Sequence, residues 1–436
     1  MKIENIRKTL AKNILADGFD PIIDLEKSHG SWIVDQRDKT EYLDMFSMYA
    51  SGSVGYNHPY IVDHQDTLGK IAINKTTLSD IYNIHYADFV ETFDRVAIPS
   101  YLKNAFFIDG GSLAVENALK AAFDWKKRTN LEKGSKAEGD KVIYFNQAFH
   151  GRTGYTLTLT NTSDPRKTMY FPKFPWFKVD NPHLSFPSTS ENLNNLIIEE
   201  NHVINSIKKI VSENPDDIAA IIIEPIQGEG GDNHFRNEFM VSLKDICDND
   251  DMIFIFDEVQ TGIGITGKMW AHEHFSVKPD IISFGKKTQV CGMLAGDKIY
   301  NLDKNVFKES SRINSTFGGN LVDMYRFKLI MEIMEKENLM NNAQLMGDYL
   351  LDSLVNLSND FPGYVTNPRG SGLFCAFDMT SGIERDKLVS LCQEQKLLIL
   401  GSGDQSIRFR PHLNVSKEDL DICITTLQDV LKKMLN

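Results

Sequence analysis

Residues 219–231 read AAIIIEPIQGEGG, residues 251–264 read DMIFIFDEVQTGIG, and residues 278–292 read KPDIISFGKKTQVCG. Three short apolar runs rich in isoleucine and phenylalanine are each followed by a carboxylate, a glycine turn or a lysine. This is the pattern of buried parallel strands that deliver polar residues from their carboxyl ends into a crevice. Asp257 closes the middle strand and Lys286 follows the next, so the two can meet although 29 positions separate them. A buried acid and a buried lysine are costly to desolvate unless they serve a purpose.

Around this centre, 436 residues suffice for two domains, or for one large domain carrying a smaller one. With 42% hydrophobic and 25% charged residues the chain reads as globular rather than disordered. A formal net charge of -13 argues against nucleic acid or an anionic membrane as partner. Cys247, Cys291, Cys375, Cys392 and Cys423 lie far apart with no CxxC, so neither a zinc site nor a disulfide framework is expected, and a reducing compartment fits. No apolar h-region opens the chain and no run approaches 18 apolar residues, so a soluble, cytoplasmic protein is expected.

Upstream, residues 1–30 suggest a short amphipathic helix (Ile6, Leu10, Ile14) and a strand around Pro21 to Glu26. WIVDQRDKTEYLDMFSM reads as a hairpin about its DQRDK turn, and YASGSVGYNHPYI as an irregular loop, either a connector or part of a site. In FFIDGGSLAVENALKAAFDWKKR a brief strand leads through Asp109, Gly110, Gly111 and Ser112 into a helix with Ala114, Ala118, Ala121, Ala122 and Trp125 on one face. Two glycines and a serine at a helix start form either an anion cradle or an ordinary cap. Residues 127–140 read as a solvated loop. Further on come a strand and loop in KVIYFNQAFHGRTG, an extended aromatic tract MYFPKFPWFKVDNP, and a surface helix over 191–212. Asn314 to Asn320 opens a long helix and is a second candidate cradle. The remaining strands and helices, together with the N-terminal segment, suggest a composite α+β domain.

The parts in hand are two candidate phosphate cradles, a buried aspartate, a strand-end lysine and flanking arginines. No GxGxxG follows a first strand, and neither GxxxxGK[ST] nor HExxH occurs, so nucleotide and zinc readings lose ground and no metal is expected. A lysine serving as nucleophile and base is best used on a carbonyl. The cofactor that supplies a carbonyl, a phosphate and a ring nitrogen wanting an acid partner is pyridoxal 5'-phosphate.

FDEVQTGIGITG and PDIISFGKK resemble the signature of the class III (omega) aminotransferases, pyridoxal phosphate enzymes of fold type I, and the resemblance covers essentially the whole chain. It implies an α/β fold with a large, mainly parallel domain over 76–320. A smaller α+β domain would be built from 1–75 and 321–436. DGGSLAVENALKAAFDWK, AFHGRTGYTLTLTNT, EPIQGEGGDNHFR and FGKKTQVCG are more similar to the members that act on the terminal amine of L-lysine than to those for ornithine, 4-aminobutyrate or acetylornithine. The expected reaction moves that amine to 2-oxoglutarate and yields L-glutamate. Another omega-amine substrate is the first rival, and an aminomutase or decarboxylase the second.

Carried over, the resemblance makes Lys286 the lysine that binds the cofactor covalently, with Lys287 as its neighbour in the FGKK pair. Asp257 pairs with the pyridine nitrogen. Gly111 and Ser112 hold the phosphate, Phe149 stacks on the ring, and Gln260 faces the cofactor's hydroxyl. Thr316 reaches the phosphate in the other subunit of a homodimer. Glu229 masks Arg408 while lysine reacts and releases it to glutamate, and Arg152 takes the distal carboxylate. The alternative for Arg152, Glu229 and Arg408 is a set of surface or domain-bridging ion pairs.

Overall fold

Ile218–Ile223, Ile253–Asp257 and Ile281–Phe284 lie side by side as parallel strands in which every residue is buried. The structure, a computed structural model, describes residues 2–435; residues 1 and 436, the outer ends of the two terminal segments, lie outside the described residues. The sheet has seven strands in the order Asn104–Ile108, Cys291–Ala295, Ile281–Phe284, Ile253–Asp257, Ile218–Ile223, Lys141–Phe145, Phe177–Val179. Only Cys291–Ala295 runs against its neighbours. Its continuous apolar runs follow from burial on both faces.

The two faces are covered by different helices. Ile221, Ile223, Phe254 and Phe256 share a core with Val203, Ile207, Phe239 and Leu243 of helices Ser190–Glu213 and Asn237–Asn249. Ala220, Ile222, Ile253 and Ile255 pack with Val115, Ala118, Leu119 and Ala122 of helix Gly111–Glu132. Strand alternation therefore separates the two cores. The charged stretch expected to be a loop from 127 is helical to Glu132. Its polar side chains are tied down: Lys126 Nζ donates to the Asp251 carbonyl at 2.9 Å and Asn130 Nδ2 to that of Asp216 at 2.8 Å.

The chain's two ends meet in a second region. Trp32–Val34 and Glu41–Asp44 form the expected hairpin, and Leu397–Leu398 adds to Glu41–Asp44 in parallel. Beside them an antiparallel sheet runs Thr366–Ser371, Phe374–Asp378, Ser406–Phe409, Leu400–Ser402. Helices Gly382–Glu394 and Lys417–Leu435 accompany these sheets.

Two N-terminal expectations fail. The helix is only Ile6–Leu10 after a 3-10 turn, with none of its residues buried, because its apolar face has no partner among the described residues. The strand at 21–26 shrinks to one bridge, Ile23 to Asp35. There the Asp24 carboxylate accepts from the Glu26 and Lys27 amides and turns the backbone. Among the described residues no helix is long and apolar enough to cross a membrane.

One close approach ties the second region to itself. Gly347, in helix Leu339–Asp360, lies against the Gly372 backbone, and a Cβ added there would collide with it. Gly69, in helix Gln65–Ala72, faces open space. Gly347→Val is expected to lower stability by roughly 1–3 kcal/mol. Gly69→Ala should raise it by about 0.5 kcal/mol. Thermal melting of the two variants checks this, and equal melting temperatures would count against the contact.

Candidate active site

At the carboxyl ends of the central strands a cavity of about 200 Å³ is lined by Gly111, Ser112, Phe149, His150, Gly151, Glu224, Asp257, Val259, Gln260 and Lys286. Six of the residues singled out in the sequence are thus gathered in one place. Asp257 forms its floor. One carboxylate oxygen is 2.8 Å from His150 Nδ1, and the other accepts from Ser283 Oγ at 3.0 Å and from the Val259 amide at 3.1 Å. Ser283 is available because it is the parallel-register partner of Asp257. Glu224 is equally enclosed, accepting from the Phe149 and Gly228 amides at 2.9 and 3.1 Å. Burial pushes its carboxyl up to about 7.

Opposite the acid, the turn after Phe284 carries both lysines. Lys286 reaches the cavity, and its amine is depressed to about 7, first by burial and then by the charges of Arg408 and Arg410. Lys287 is 1% exposed and does not line the cavity. Burial, reinforced by Lys286 and Arg410, drives its amine well below the ordinary lysine range. The two amines and the Gln289 amide donate in succession, each at 2.9 Å, to the carbonyls of Tyr49, Ala50 and Ser51. Tyr49 and Ala50 belong to a left-handed turn over Ser47–Ala50, with φ from 42° to 68°, and Ser51 follows it. The loop that read as connector or site element is therefore fastened to the site lysines.

The cradle at the other end is built by helix Gly111–Glu132, whose N-terminus no side chain caps. Its first amides lack intrahelical partners and favour an anion. Gly151, at φ 123°, passes so close that a Cβ would strike Ser112 Oγ. Arg152 follows, exposed, with its guanidinium 5.7 Å from the Phe149 ring centre.

Glu229 and Arg408 do meet. Arg408 Nη2 donates to Glu229 Oε2 at 2.8 Å, while Arg408 Nε is buried without a partner. Glu229 Oε1 accepts from Lys167 Nζ at 2.6 Å. Burial would raise the Glu229 carboxyl, but Arg408 and Lys167 outweigh it and hold it below its ordinary value. Arg410, two residues on, makes a bidentate pair with Asp232 and donates from Nε and Nη2 to Gln260 Oε1 at 3.1 and 3.0 Å. The Gln260 amide is thereby oriented with its NH2 group unclaimed by Arg410. Thr316 is exposed on the loop whose Phe317 carbonyl binds the Leu78 amide, and it does not line the cavity of its own chain.

The sequence reading missed Ser283, Arg410, Asp232 and Lys167, and gave His150 no role. Strand register was a usable signal for Ser283, and the alternation in SIRFR for Arg410, which follows Arg408 by two positions. Lys167 carried none, since DPRK reads as a solvated turn.

The family model for class III aminotransferases matches residues 15–431. The chain is a class III aminotransferase. It is 44% identical to an L-lysine-epsilon aminotransferase of Mycobacterium tuberculosis, over 98% of this chain and 95% of that one. Identity to the enzyme of the same name from Amycolatopsis lactamdurans is 43%, covering 96% and 93%. For a 4-aminobutyrate aminotransferase of Emericella nidulans it is 31%, covering 95% and 85%. The solved structure of the M. tuberculosis lysine aminotransferase in its internal aldimine form superposes with a TM-score of 0.96 at 43% identity, covering 99% of both chains. The fold is therefore that of the type I pyridoxal phosphate enzymes.

This aminotransferase class uses pyridoxal 5'-phosphate, and the residues present suit it. The uncapped helix start and Ser112 offer donors for a phosphate, Asp257 a carboxylate held in place by three partners, and Lys286 an amine that loses its proton as pH climbs through about 7. Only the neutral amine attacks an aldehyde. The rate at which cofactor-free protein links covalently to added pyridoxal phosphate should accordingly rise as pH climbs through about 7 and then level off. Stopped-flow absorbance across pH 5.5–9 measures it. A rate still climbing tenfold per pH unit at pH 9 would mean an unperturbed lysine.

Proposed function

We propose that this enzyme transfers the ε-amino group of L-lysine to 2-oxoglutarate, giving 2-aminoadipate 6-semialdehyde and L-glutamate. Higher identity to relatives named for lysine than to one named for 4-aminobutyrate supports the substrate. The observation that carries the reading is the Glu229–Arg408 pair, close enough to Lys286 for both charges to act on its amine.

Bound at Lys286, the cofactor supplies an aldehyde that links to amines and a ring that takes up the electron pair left when a proton departs the amine-bearing carbon. Asp257, fixed by His150, Ser283 and the Val259 amide, keeps a negative charge where a protonated ring nitrogen is favoured. The Lys286 amine, lowered to about 7, would take the proton from the substrate carbon and return it to the carbon on the far side of the amine nitrogen. Gln260, oriented by Arg410, would donate to the cofactor's hydroxyl. Phe149 would stack on the ring, and Gly111 and Ser112 would hold the phosphate.

The two substrates place different groups beside the reacting carbon. L-lysine brings methylenes there, L-glutamate a carboxylate. With Glu229 in place Arg408 is masked, and lysine's methylenes lie beside an ion pair rather than a bare guanidinium. Arg408 gives Glu229 only Nη2 and leaves Nε unfilled, so an incoming α-carboxylate can claim a bidentate fork. Arg152, exposed beside Phe149, is placed to receive the distal carboxylate of either substrate.

The division into 1–75, 76–320 and 321–436 is supported by the sheet that joins the first segment to the last. Exposure of Thr316 and the Phe317 loop suits a homodimer with shared sites, and the dispersed acidic surface suits the cytoplasm. Sedimentation of active enzyme is expected to show a dimer, and a fully active monomer would remove Thr316 from the site.

Glu229→Ala exposes Arg408 permanently and should depress the lysine half-reaction by ~30-fold to 1000-fold more than the glutamate half-reaction, about 2–4 kcal/mol. Arg408→Ala should do the reverse. Single-turnover absorbance of each half-reaction reads the difference. Equal losses for both amino acids in Glu229→Ala would leave the residue a structural carboxylate and the switch without support.

A further inference from the structure

Lys167 ends a 3-10 turn over Pro165–Lys167, 62 positions before Glu229, yet its amine lies 2.6 Å from Glu229 Oε1. The Glu229 carboxylate is thus shared, one oxygen on Lys167 and the other on Arg408 at 2.8 Å. All three side chains are mostly withdrawn from water, at 17%, 25% and 5% exposure for Lys167, Glu229 and Arg408. The Lys167 amine is also 5.8 Å from the ring centre of Phe149, on the wall of the cavity. Arg410 adds no free charge, because Asp232 neutralises it through two hydrogen bonds.

Charge balance follows directly. With Glu229 in place, Arg408 and Lys167 leave one positive charge unmatched. An arriving α-carboxylate supplies the missing negative charge, and each carboxylate can then keep one cation. Were Arg408 the only partner of Glu229, an acid substrate claiming it would strand a carboxylate in a largely desolvated place, at substantial cost. We infer that Lys167 is the residue that retains Glu229 when a dicarboxylate substrate takes Arg408, making it a positioning residue specific to the glutamate and 2-oxoglutarate half of the cycle. This rests on the Glu229–Arg408 switch proposed above. In the closed arrangement, in which lysine reacts, Arg408 holds Glu229 whether or not Lys167 is charged. The open one needs Lys167.

The test uses cofactor-loaded enzyme and glutarate, a dicarboxylate with no keto or amino group to react, titrated by its perturbation of the cofactor's absorbance. Lys167→Met keeps the chain length and removes the charge. It is expected to raise the glutarate Kd roughly tenfold, and to slow the glutamate half-reaction in proportion, with the lysine half-reaction changing by less than about threefold. Lys167→Arg should restore glutarate binding. In Lys167→Met combined with Glu229→Ala no carboxylate is left to strand, so the effect of the lysine should vanish. An unchanged glutarate Kd in Lys167→Met, or equal losses in both half-reactions, would overturn the inference. A loss that persists in the double variant would also overturn it, since Lys167 would then bind the dicarboxylate itself. Failure of the underlying switch is separately visible, because Glu229→Ala alone would then affect lysine and glutamate alike.

Discussion

Everything at the site is referred to one fixed carboxylate. Asp257 ends a strand whose five residues are all buried, and three donors converge on it: an imidazole, a hydroxyl and an amide. Such an arrangement keeps an acid in one position where water is excluded, because moving it would strand all four groups. Strand register delivers Ser283, the loop after Phe145 delivers His150, and the turn after Phe284 sets Lys286 across the cavity from it.

The complementary theme is a gathering of cations. Arg408, Arg410, Lys167, Lys286 and Lys287 lie close together, answered by Glu229 and Asp232 at the ion pairs and by Glu224 and Asp257 in the cavity. The two lysines respond by giving up protons, and the arginines keep theirs. This divides the labour by residue type. Amines that burial can neutralise serve as nucleophile or hydrogen-bond donor, while guanidinium groups stay charged and recognise carboxylates.

The central sheet was legible because burial on both faces leaves an unbroken apolar run, as in AAIII, MIFIF and IISF. Lys286, Asp257, Gly111, Ser112, Phe149 and Gln260 were legible through the family's phrases, and they do share a cavity. What escaped was contact between segments with no local pattern. Lys167 meets Glu229 across 62 positions, and Arg410 meets Asp232 across 178. The helix beyond residue 127 was misread because buried Lys126 and Asn130 look like solvent-facing residues until the carbonyls they bind are known. The short N-terminal helix has the opposite cause: Leu10 and Ile14 have an amphipathic spacing, yet nothing among the described residues covers them.

The small sheet in which Glu41–Asp44 is flanked by Trp32–Val34 and Leu397–Leu398 has a bearing on how the polypeptide is made. Asp44 and Leu397 are 353 positions apart, so at roughly 5–20 residues per second a ribosome needs about 20–70 s after making the hairpin to supply its third strand. Throughout that interval the hairpin has an open edge that any other extended segment could occupy. Completion of this region is thus deferred until nearly the whole chain exists.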